Sequence, residues 1–302
     1  MVNFLRMVEI QAVLFIYLSV GAIAYRSRII KKEMIPGFVD FIINIIMPCM
    51  VFNSFNQQLT SDKLLSAASC LLLSFGISIL SFLLGKVLYL RYSFEERCIM
   101  QYGTVVSNSG FAGLPLVSTA FGDEALFYAS IFMIPTRIFM WSAGLSLFTN
   151  TNAKDTCRKV LLNPCVIACE VGLLRMALNL ELPVILDTAL KNIGGCSSAM
   201  SMIIIGAILA EVDIRKVIQV KVLYLSFVRL ILLPLITLGI FKLLGIGGLE
   251  MASSVLLVGM PAGSTTAILA QKYGADAEFA SKCVFVSTVL SLITAPLLTL
   301  LF

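Results

Sequence analysis

Long apolar runs alternate with short polar stretches along the whole chain, and the runs are of membrane length. An α-helix needs about 20 apolar residues to cross a hydrocarbon core about 30 Å thick, and hydropathy with polar punctuation divides the chain into ten such segments. The ten predicted spans cover residues 8–26, 36–56, 64–90, 97–120, 124–148, 161–180, 187–210, 217–242, 250–272 and 277–301. The pattern therefore predicts an all-α polytopic membrane protein with ten transmembrane helices.

The chain also repeats itself at an offset of 152 residues. FGDEALFYASIFMI at residues 121–134 aligns with YGADAEFASKCVFV at residues 273–286, and spans one to five then align with spans six to ten. Each half holds an odd number of spans, so the second half must enter the membrane in the opposite orientation. We therefore predict an inverted repeat, with residues 1–152 as its first half and residues 153–302 as its second.

Spans four and nine differ from the others because small, polar and helix-breaking residues interrupt their apolar runs. Span four contains VVSNSGFAGLPLVSTAFG at residues 105–122, and span nine contains GMPAGSTTA at residues 259–267. Proline removes a backbone donor and disturbs the helix before it. Because unpaired backbone groups are costly in hydrocarbon, such a break is tolerated only where it is buried in protein or lines a cavity.

The two interruptions predict a substrate site, because interrupted helices at corresponding places in two inverted halves are typical of a transporter's binding site. Helix N-termini there favour an anion, whereas freed carbonyls and hydroxyls favour a cation. The alternative is a pair of proline kinks that serve close helix packing. The candidate substrate-binding residues are Ser107, Asn108, Ser109, Gly110, Gly113, Pro115, Pro261, Gly263, Ser264 and Thr265.

The composition agrees with a chain that lies almost wholly in the bilayer. Of 302 residues, 59% are hydrophobic and 13% are charged, and the mean hydropathy is +0.98, whereas soluble proteins carry about 25% charged residues. The eight cysteines include no CxxC pair. They are interpreted as small buried apolar side chains, with no metal site and no disulfide framework.

Basic residues concentrate in every second loop, which predicts the orientation. The loop after span one, YRSRIIKKE, carries four of them, and the positive-inside rule then places both termini outside the cell. The net charge of +5 reflects this bias, so we expect a multi-pass protein of the cell membrane, surrounded by bilayer lipid and without a nucleic-acid partner. The loops with the excess contain Arg26, Arg28, Lys31, Lys32, Arg91, Arg97, Lys154, Arg158, Lys159, Arg215, Lys216, Lys221 and Lys272.

Four ionisable side chains fall well inside predicted spans, where a charge at the helix centre costs about 2.5–3.5 kcal/mol. They are Arg137, Glu170, Arg175 and Arg229. Arg137 and Arg229 either face a substrate route or form structural ion pairs, whereas Arg175 is near enough to the interface to extend towards water. If Arg137 faces the same cavity as Asn108, it would supply the charge for a bidentate contact with a carboxylate.

Coupling to an ion has few candidate residues. The chain has no histidine, so a proton would be carried by a carboxylate, and Glu170 and Asp40 are the candidates. The hydroxyls of Thr265 and Thr266 are the candidates for a coupling cation. No cofactor is expected, and a driving ion would be H⁺ or Na⁺.

Several motifs resemble the auxin efflux carrier family of membrane permeases. NSGFAGLP (108–115) followed by FGDEAL (121–126) is similar to the family's fourth helix, MPAGSTTAILAQKYGAD (260–276) to its ninth, and FIINIIMPCMVFNSF (41–55) to its second. The long cytoplasmic loop of the plant members is absent, and TNTNAKDTCRK (149–159) joins spans five and six instead.

The resemblance implies a fold and a mechanism. Family members have two inverted five-helix repeats, and their broken helices 4 and 9 cross at mid-membrane. Helices 1, 2, 6 and 7 form a scaffold, and helices 3–5 and 8–10 form a moving transport core. The family carries organic anions such as carboxylates, and the resemblance also implies a homodimer through the scaffold helices.

The leading interpretation is a secondary active transporter of a small organic anion that works by alternating access around the helix 4/helix 9 crossover. An anion channel or a non-transporting membrane sensor on the same fold is the alternative. An intramembrane enzyme is disfavoured, because rhomboid-type chemistry needs a Ser–His pair and the chain has no histidine. No GxxxxGK[ST] sequence is present to bind ATP, which fits a secondary transporter.

Overall fold

The structure is a computed structural model that describes residues 4–57, 60–148, 158, 161–210 and 217–302, without the side chains of residues 4–7, 61–62 and 271–272. Within these ranges every regular element is helical, apart from one isolated pair of bridged residues. The prediction of an all-α polytopic membrane protein is confirmed at this level. The proposed boundary at residue 152 and the loop residues Lys154, Lys159, Arg215 and Lys216 lie outside the described residues.

Seven helices in the described ranges are long and apolar enough to cross a membrane, judged by length and composition. They are Val8–Arg26, Lys32–Ser54, Lys63–Leu88, Ser109–Leu147, Val184–Leu209, Val220–Leu243 and Ala277–Thr299. Predicted spans four and nine are not among them because their helices are interrupted, and the helix in span six is only 14 residues long. The arrangement as ten spans in two inverted repeats stays a prediction.

The first half of the described chain contains six α-helices. They are α1 (Phe4–Arg26), α2 (Ile35–Phe41), α3 (Met47–Ser54), α4 (Ser61–Leu88), α5 (Phe94–Val105) and α6 (Leu114–Phe139). Within α6 the chain turns at Gly122, whose φ of 80° and ψ of −171° are open to glycine but not to residues with a Cβ. This turn falls between predicted spans four and five.

The described part of the second half contains eight α-helices. They are α7 (Pro164–Ala177), α8 (Val184–Gly195), α9 (Ser197–Leu209), α10 (Val220–Phe227), α11 (Leu233–Leu243), α12 (Gly248–Val258), α13 (Thr265–Lys272) and α14 (Ala277–Thr299). Side chains in the polar loops cap several helices of both halves, because the first N–H groups of a helix lack partners within it. Thr60, Ser93, Asn163 and Asp276 accept such bonds at the starts of α4, α5, α7 and α14.

Three of the four single-turn π-helical segments in the described residues lie directly before a helix whose second residue is proline. The segments are Ile42–Ile46, Ser109–Gly113 and Val228–Leu232, and the prolines that follow them are Pro48, Pro115 and Pro234. Proline has no N–H and its ring crowds the carbonyl four residues earlier. The wider i→i+5 pattern before it relieves that crowding without ending the helix.

The helices pack in two groups. In the first, α1 packs on α9, and α3 packs on α7 and α8; in the second, α6 packs on α4 and α12, and α14 packs on α10 and α13. Two glycines bring α1 and α9 into backbone contact, as small residues do between membrane helices. A Cβ on Gly21 would lie 1.8 Å from the Ile203 oxygen, and one on Gly206 would lie 1.9 Å from the Leu18 oxygen.

Candidate substrate site between two interrupted helices

The interruptions after α5 and after α12 meet and complete each other's backbone hydrogen bonds. The helix α5 ends at Val105, and Ser107 forms an antiparallel bridge with Ala262. The Asn108 N–H donates to the Pro261 oxygen over 2.7 Å, and the Gly263 N–H donates to the Val106 oxygen over 3.0 Å. Two breaks that would each leave backbone groups unpaired in an apolar environment are therefore tolerated together.

The helix interruption in span four lies at residues 106–108, before the glycines and proline that suggested it. Pro115 is the second residue of α6 and lies inside the helix that begins at Ser109, where the π-helical segment before it accommodates its missing N–H and its ring. Gly113 permits a close approach instead, because a Cβ there would lie 2.7 Å from Leu257 of α12. These two residues shape the backbone around the break.

Arg229 binds the carbonyl ends of both interrupted helices. Its Nη1 donates to the Thr104 oxygen at the end of α5 over 2.7 Å, and its Nε donates to the Met260 oxygen after α12 over 3.0 Å. The residue is 3% exposed, and among the described residues no carboxylate lies within ion-pair distance of it. Helix C-termini carry partial negative charge, so the two helix ends stand in for the acidic partner.

A helix begins at Ser109, directly after the break in span four. The first hydrogen bonds of this helix run to the Asn108 oxygen from the N–H groups of Ala112 and Gly113, over 3.0 and 3.2 Å. The N–H groups of Ser109, Gly110 and Phe111 precede those bonds and are the terminal donors of the helix. This end therefore carries the positive side of the helix dipole.

Asn108 and Ser109 keep polar side chains at this helix start. They are 6% and 5% exposed, and within the described part of the chain neither side chain makes a hydrogen bond. An amide group in such a position can both donate to and accept from a ligand. Ser107 lies beside them, and its hydroxyl is within 3.4 Å of the Leu257 oxygen.

The guanidinium of Arg137, which α6 carries near its C-terminal end, lies against the same helix start. A Cβ built on Gly110 would be 2.5 Å from Arg137 Nη2 and 3.5 Å from Met47 Cε. The Arg137 Nε is buried without a hydrogen-bond partner in the described ranges. No carboxylate of those ranges lies within 4.0 Å of this side chain either. The Arg137 guanidinium and the positive end of the helix dipole therefore lie next to each other, and no described carboxylate pairs with the guanidinium.

Span nine contributes hydroxyl-bearing residues next to its own break. The Tyr102 hydroxyl donates to Thr265 Oγ1 over 3.1 Å. Thr266 is fully buried, and its Oγ1 makes no hydrogen bond with any described group. Ser264 is the N-cap residue of α13. Gly263 lies close to Val106, because a Cβ there would be 3.3 Å from Val106 Cγ1.

The structure does not bring the two candidate proton carriers to this place. Asp40 on α2 and Glu170 on α7 both have exposed side chains, and neither forms an ion pair with a described residue. Arg175 does form one, because its Nη2 lies 2.9 Å from Asp187 Oδ1, and its guanidinium stacks over the Phe52 ring. Within the described residues, no cluster of three or more His, Cys, Asp or Glu side chains could hold a metal ion.

Several residues at the meeting point were not among the sequence candidates. Thr104 and Tyr102 lie just before the interrupted motif of span four, and their position next to it was the only available signal. The Ser287 hydroxyl on α14 accepts a bond from the Ala262 N–H over 3.1 Å. Nothing in the sequence of α14 marks Ser287, because serines in apolar helices commonly bond to their own backbone.

The cavities beside the meeting point are small. One of about 20 Å³ is lined by Ser107, Ser109, Thr136 and Arg229, among others. A second of about 10 Å³ lies between Arg137 and Val51, Cys165 and Cys169. Each has room for about one water molecule. A larger cavity of about 210 Å³ is lined in part by Asn53, Asn56, Ser118, Asp123, Asp187 and Lys191 and includes neither Arg137 nor Arg229.

Apolar helices of membrane length and a pair of mutually bonded helix breaks define the chain as a multi-pass membrane protein with an internal polar centre. A family model described as "Membrane transport protein" matches residues 7–299. The chain therefore belongs to this family, which is the auxin efflux carrier family that its motifs resemble. The protein is a membrane transport protein and not an enzyme.

Three relatives carry transporter names. An "Uncharacterized transporter" of Methanothermobacter thermautotrophicus is 28% identical over 85% of both chains. An "Uncharacterized transporter" of Methanocaldococcus jannaschii is 24% identical over 96% of both chains. A "Putative malonate transporter" of Rhizobium meliloti is 22% identical over 84% of this chain and 82% of its own.

Proposed function

We propose that this protein is a secondary active transporter that moves a small organic anion, such as a carboxylate, by alternating access around the meeting point of spans four and nine. One observation carries the proposal. The Arg137 guanidinium adjoins the helix N-terminus at Ser109 to Gly113, and no described carboxylate neutralises either. A negative group between like charges in a largely apolar environment would stabilise both of them.

A carboxylate fits the donors that are present. Arg137 offers a planar pair of N–H groups, Asn108 offers an amide, and the helix start offers backbone N–H groups. The relative named "Putative malonate transporter" agrees with a carboxylate substrate. Ser107, Ser109, Gly110, Gly113, Pro115, Pro261, Gly263, Ser264 and Thr265 complete the proposed site by shaping the backbone or adding hydroxyls.

Alternating access is supported by where the site lies. Arg137 shares its small cavity with Val51 of span two and with Cys165 and Cys169 of span six. The cavity volume of about 10 Å³ is too small for a carboxylate, so spans two and six must separate from Arg137 before the substrate can bind. This agrees with the division that the family resemblance implies, and we propose spans 1, 2, 6 and 7 as the scaffold and spans 3–5 and 8–10 as the moving core.

The remaining parts of the proposal concern the assembly around this site. Spans four and nine would cross at mid-membrane in two inverted repeats, with residues 1–152 as the first and residues 153–302 as the second. Both termini would be extracytoplasmic in the cell membrane, and the chain would pair with a second copy through its scaffold helices. Coupling to Na⁺ would use Thr265 and the unpartnered Thr266 hydroxyl, and coupling to H⁺ would use Glu170 or Asp40.

Counterflow in proteoliposomes tests this function. Uptake of labelled mono- and dicarboxylates, malonate among them, should saturate and should accelerate several-fold when unlabelled substrate is loaded inside. A variant with an exposed basic residue removed, Lys242→Gln, should behave as the unchanged protein. Uptake that rises linearly and shows no acceleration would favour an anion channel, and binding without uptake would favour a sensor; either result overturns the proposal.

A further inference from the structure

A groove at one membrane end of the chain lies apart from the candidate substrate site. It is formed where α4 ends, where α5 begins and where the chain turns after α6, and its volume is about 360 Å³. Its lining includes Lys86, Leu90, Phe94, Arg97, Gln101 and Ser146. None of these residues lines the cavities next to Arg137 or Arg229.

The groove carries two positive charges that no described acid neutralises. Lys86 Nζ lies 4.6 Å from the centre of the Phe82 ring, and Arg97 Cζ lies 5.8 Å from the centre of the Phe94 ring. Neither lies within 4.0 Å of a carboxylate in the described ranges. Aromatic faces hold cations in place without removing their charge.

The acidic residues next to Arg97 do not neutralise the positive charge of the groove. The Glu96 carboxylate is engaged by Lys221, whose Nζ lies 2.6 Å from Oε1. Glu95 is exposed and does not line the groove. Arg97 also falls in the first turn of α5, a 12-residue helix whose N-terminus adds partial positive charge.

The groove has polar side chains beside exposed apolar ones, which matches the polar headgroup and the apolar acyl chains of a phospholipid. Gln101, which is 8% exposed, supplies an amide to its lining. Leu90 and Phe94 are 65% and 69% exposed at the same end of the helices. In a membrane, exposed apolar side chains at a span end contact acyl chains, while adjacent basic side chains contact lipid headgroups.

We propose that this groove binds the phosphate group of an anionic phospholipid, with Lys86 and Arg97 on the phosphate oxygens and the acyl chains along Leu90 and Phe94. A phosphate presents several acceptor oxygens, so a lysine point charge and an arginine fork bind it together. A lipid is favoured over a free phosphate because the charged groups adjoin exposed apolar ones. The groove opens at the membrane end that also carries Arg91.

The experiment measures lipid binding to the purified full-length protein. Delipidated protein in mild detergent is titrated with short-chain phosphatidylglycerol, phosphatidylcholine or inorganic phosphate, and occupancy is read by native mass spectrometry. We expect phosphatidylglycerol to bind at least tenfold more tightly than phosphatidylcholine. Lys86→Gln and Arg97→Gln should each weaken phosphatidylglycerol about fivefold or more. Lys86→Arg should bind as the unchanged protein does, which shows that the groove keeps its shape.

Arg91→Gln is the matched control, because Arg91 is exposed at the same membrane end and does not line the groove. It should change the affinity less than twofold. Equal losses in all three glutamine variants would mean a diffuse surface attraction and would overturn the proposal. Binding of phosphatidylcholine as tightly as phosphatidylglycerol would overturn it as well. So would inorganic phosphate that displaces the lipid at equal concentration, because the groove would then be a site for a soluble anion.

Discussion

A single methyl group at Gly110 should separate substrate binding from folding. In Gly110→Ala the new Cβ would lie 2.5 Å from Arg137 Nη2, whereas ordinary contact needs about 3.4 Å. The obstructing atom is the end of a flexible side chain, so the guanidinium retreats by about 1 Å and the helices stay where they are. Alanine also favours helix over glycine by about 1 kcal/mol, so the variant should remain folded.

The displacement of the Arg137 guanidinium should weaken the binding of the anionic substrate. A hydrogen bond between a guanidinium and a carboxylate spans about 2.7–2.9 Å, and adding about 1 Å moves it beyond hydrogen-bond range. Hydrogen bonds to charged groups contribute about 1.5–3 kcal/mol, so we expect the dissociation constant to rise about 10- to 150-fold.

The assay compares substrate affinity with thermal stability measured without substrate. Gly76→Ala in α4 is the matched control, because a Cβ at Gly76 meets no atom within 4 Å. The control should leave both quantities unchanged, and Gly110→Ala should change only the affinity. If Gly110→Ala binds the substrate as tightly as the unchanged protein, the position of Arg137 has no part in binding and the site assignment is refuted.

Three further outcomes are expected from other parts of the fold. Arg229→Lys should lower the thermal stability, because lysine can reach only one of the two helix-end carbonyls. Arg229→Met should lower it more, because methionine donates to neither carbonyl. Equal melting temperatures for the two variants and the unchanged protein would contradict this. Gly206→Ala should destabilise by about 1–3 kcal/mol or more, because its Cβ would meet the Leu18 carbonyl, and an unchanged melting temperature would disprove the close crossing of α1 and α9. The hydrogen bond from Lys221 lowers the pKa of the Glu96 carboxyl, so the stability it adds is present above the ordinary carboxyl pKa and is lost as the pH falls through the lowered one. Because both side chains are partly exposed, Glu96→Gln should cost less than about 1 kcal/mol near neutral pH, and a difference from the unchanged protein that persists at a pH below the lowered pKa, where the Glu96 carboxyl is protonated, would contradict the assignment.

Hydropathy and turn chemistry predict much of the helical framework. Gly122 ends span four within two residues of the predicted limit, and the motif at residues 105–122 identifies the place where α5 stops. The residues that are unwound were not marked by the proline, because Pro115 lies inside the helix that begins at Ser109 and the break precedes that helix. A proline therefore marks the region of a break and not the residues that are unwound.

The polar contacts within the site could not be predicted from the sequence, because they join segments that are far apart along the chain. Arg229 was recognised as an unusual buried charge, yet its partners are the backbone oxygens of Thr104 and Met260. Carbonyls belong to every residue, so no residue pattern marks the ones that an arginine binds. The residue types of Glu170 and Asp40 suggested proton carriers, but both side chains are exposed in the structure. In a helix that is apolar on every face, the sequence does not tell which side chains point outward.

The most direct test of the substrate site is the affinity of an accepted carboxylate for Asn108→Ala and Arg137→Lys, measured on purified protein together with transport in proteoliposomes. Asn108→Ala should weaken binding by about 1–3 kcal/mol, because it leaves a buried polar partner unmatched. Arg137→Lys should impair binding and transport although it keeps the charge, because an ammonium group does not reproduce the planar fork. If both variants remain folded and bind and transport the carboxylate normally, the meeting point of spans four and nine is only structural.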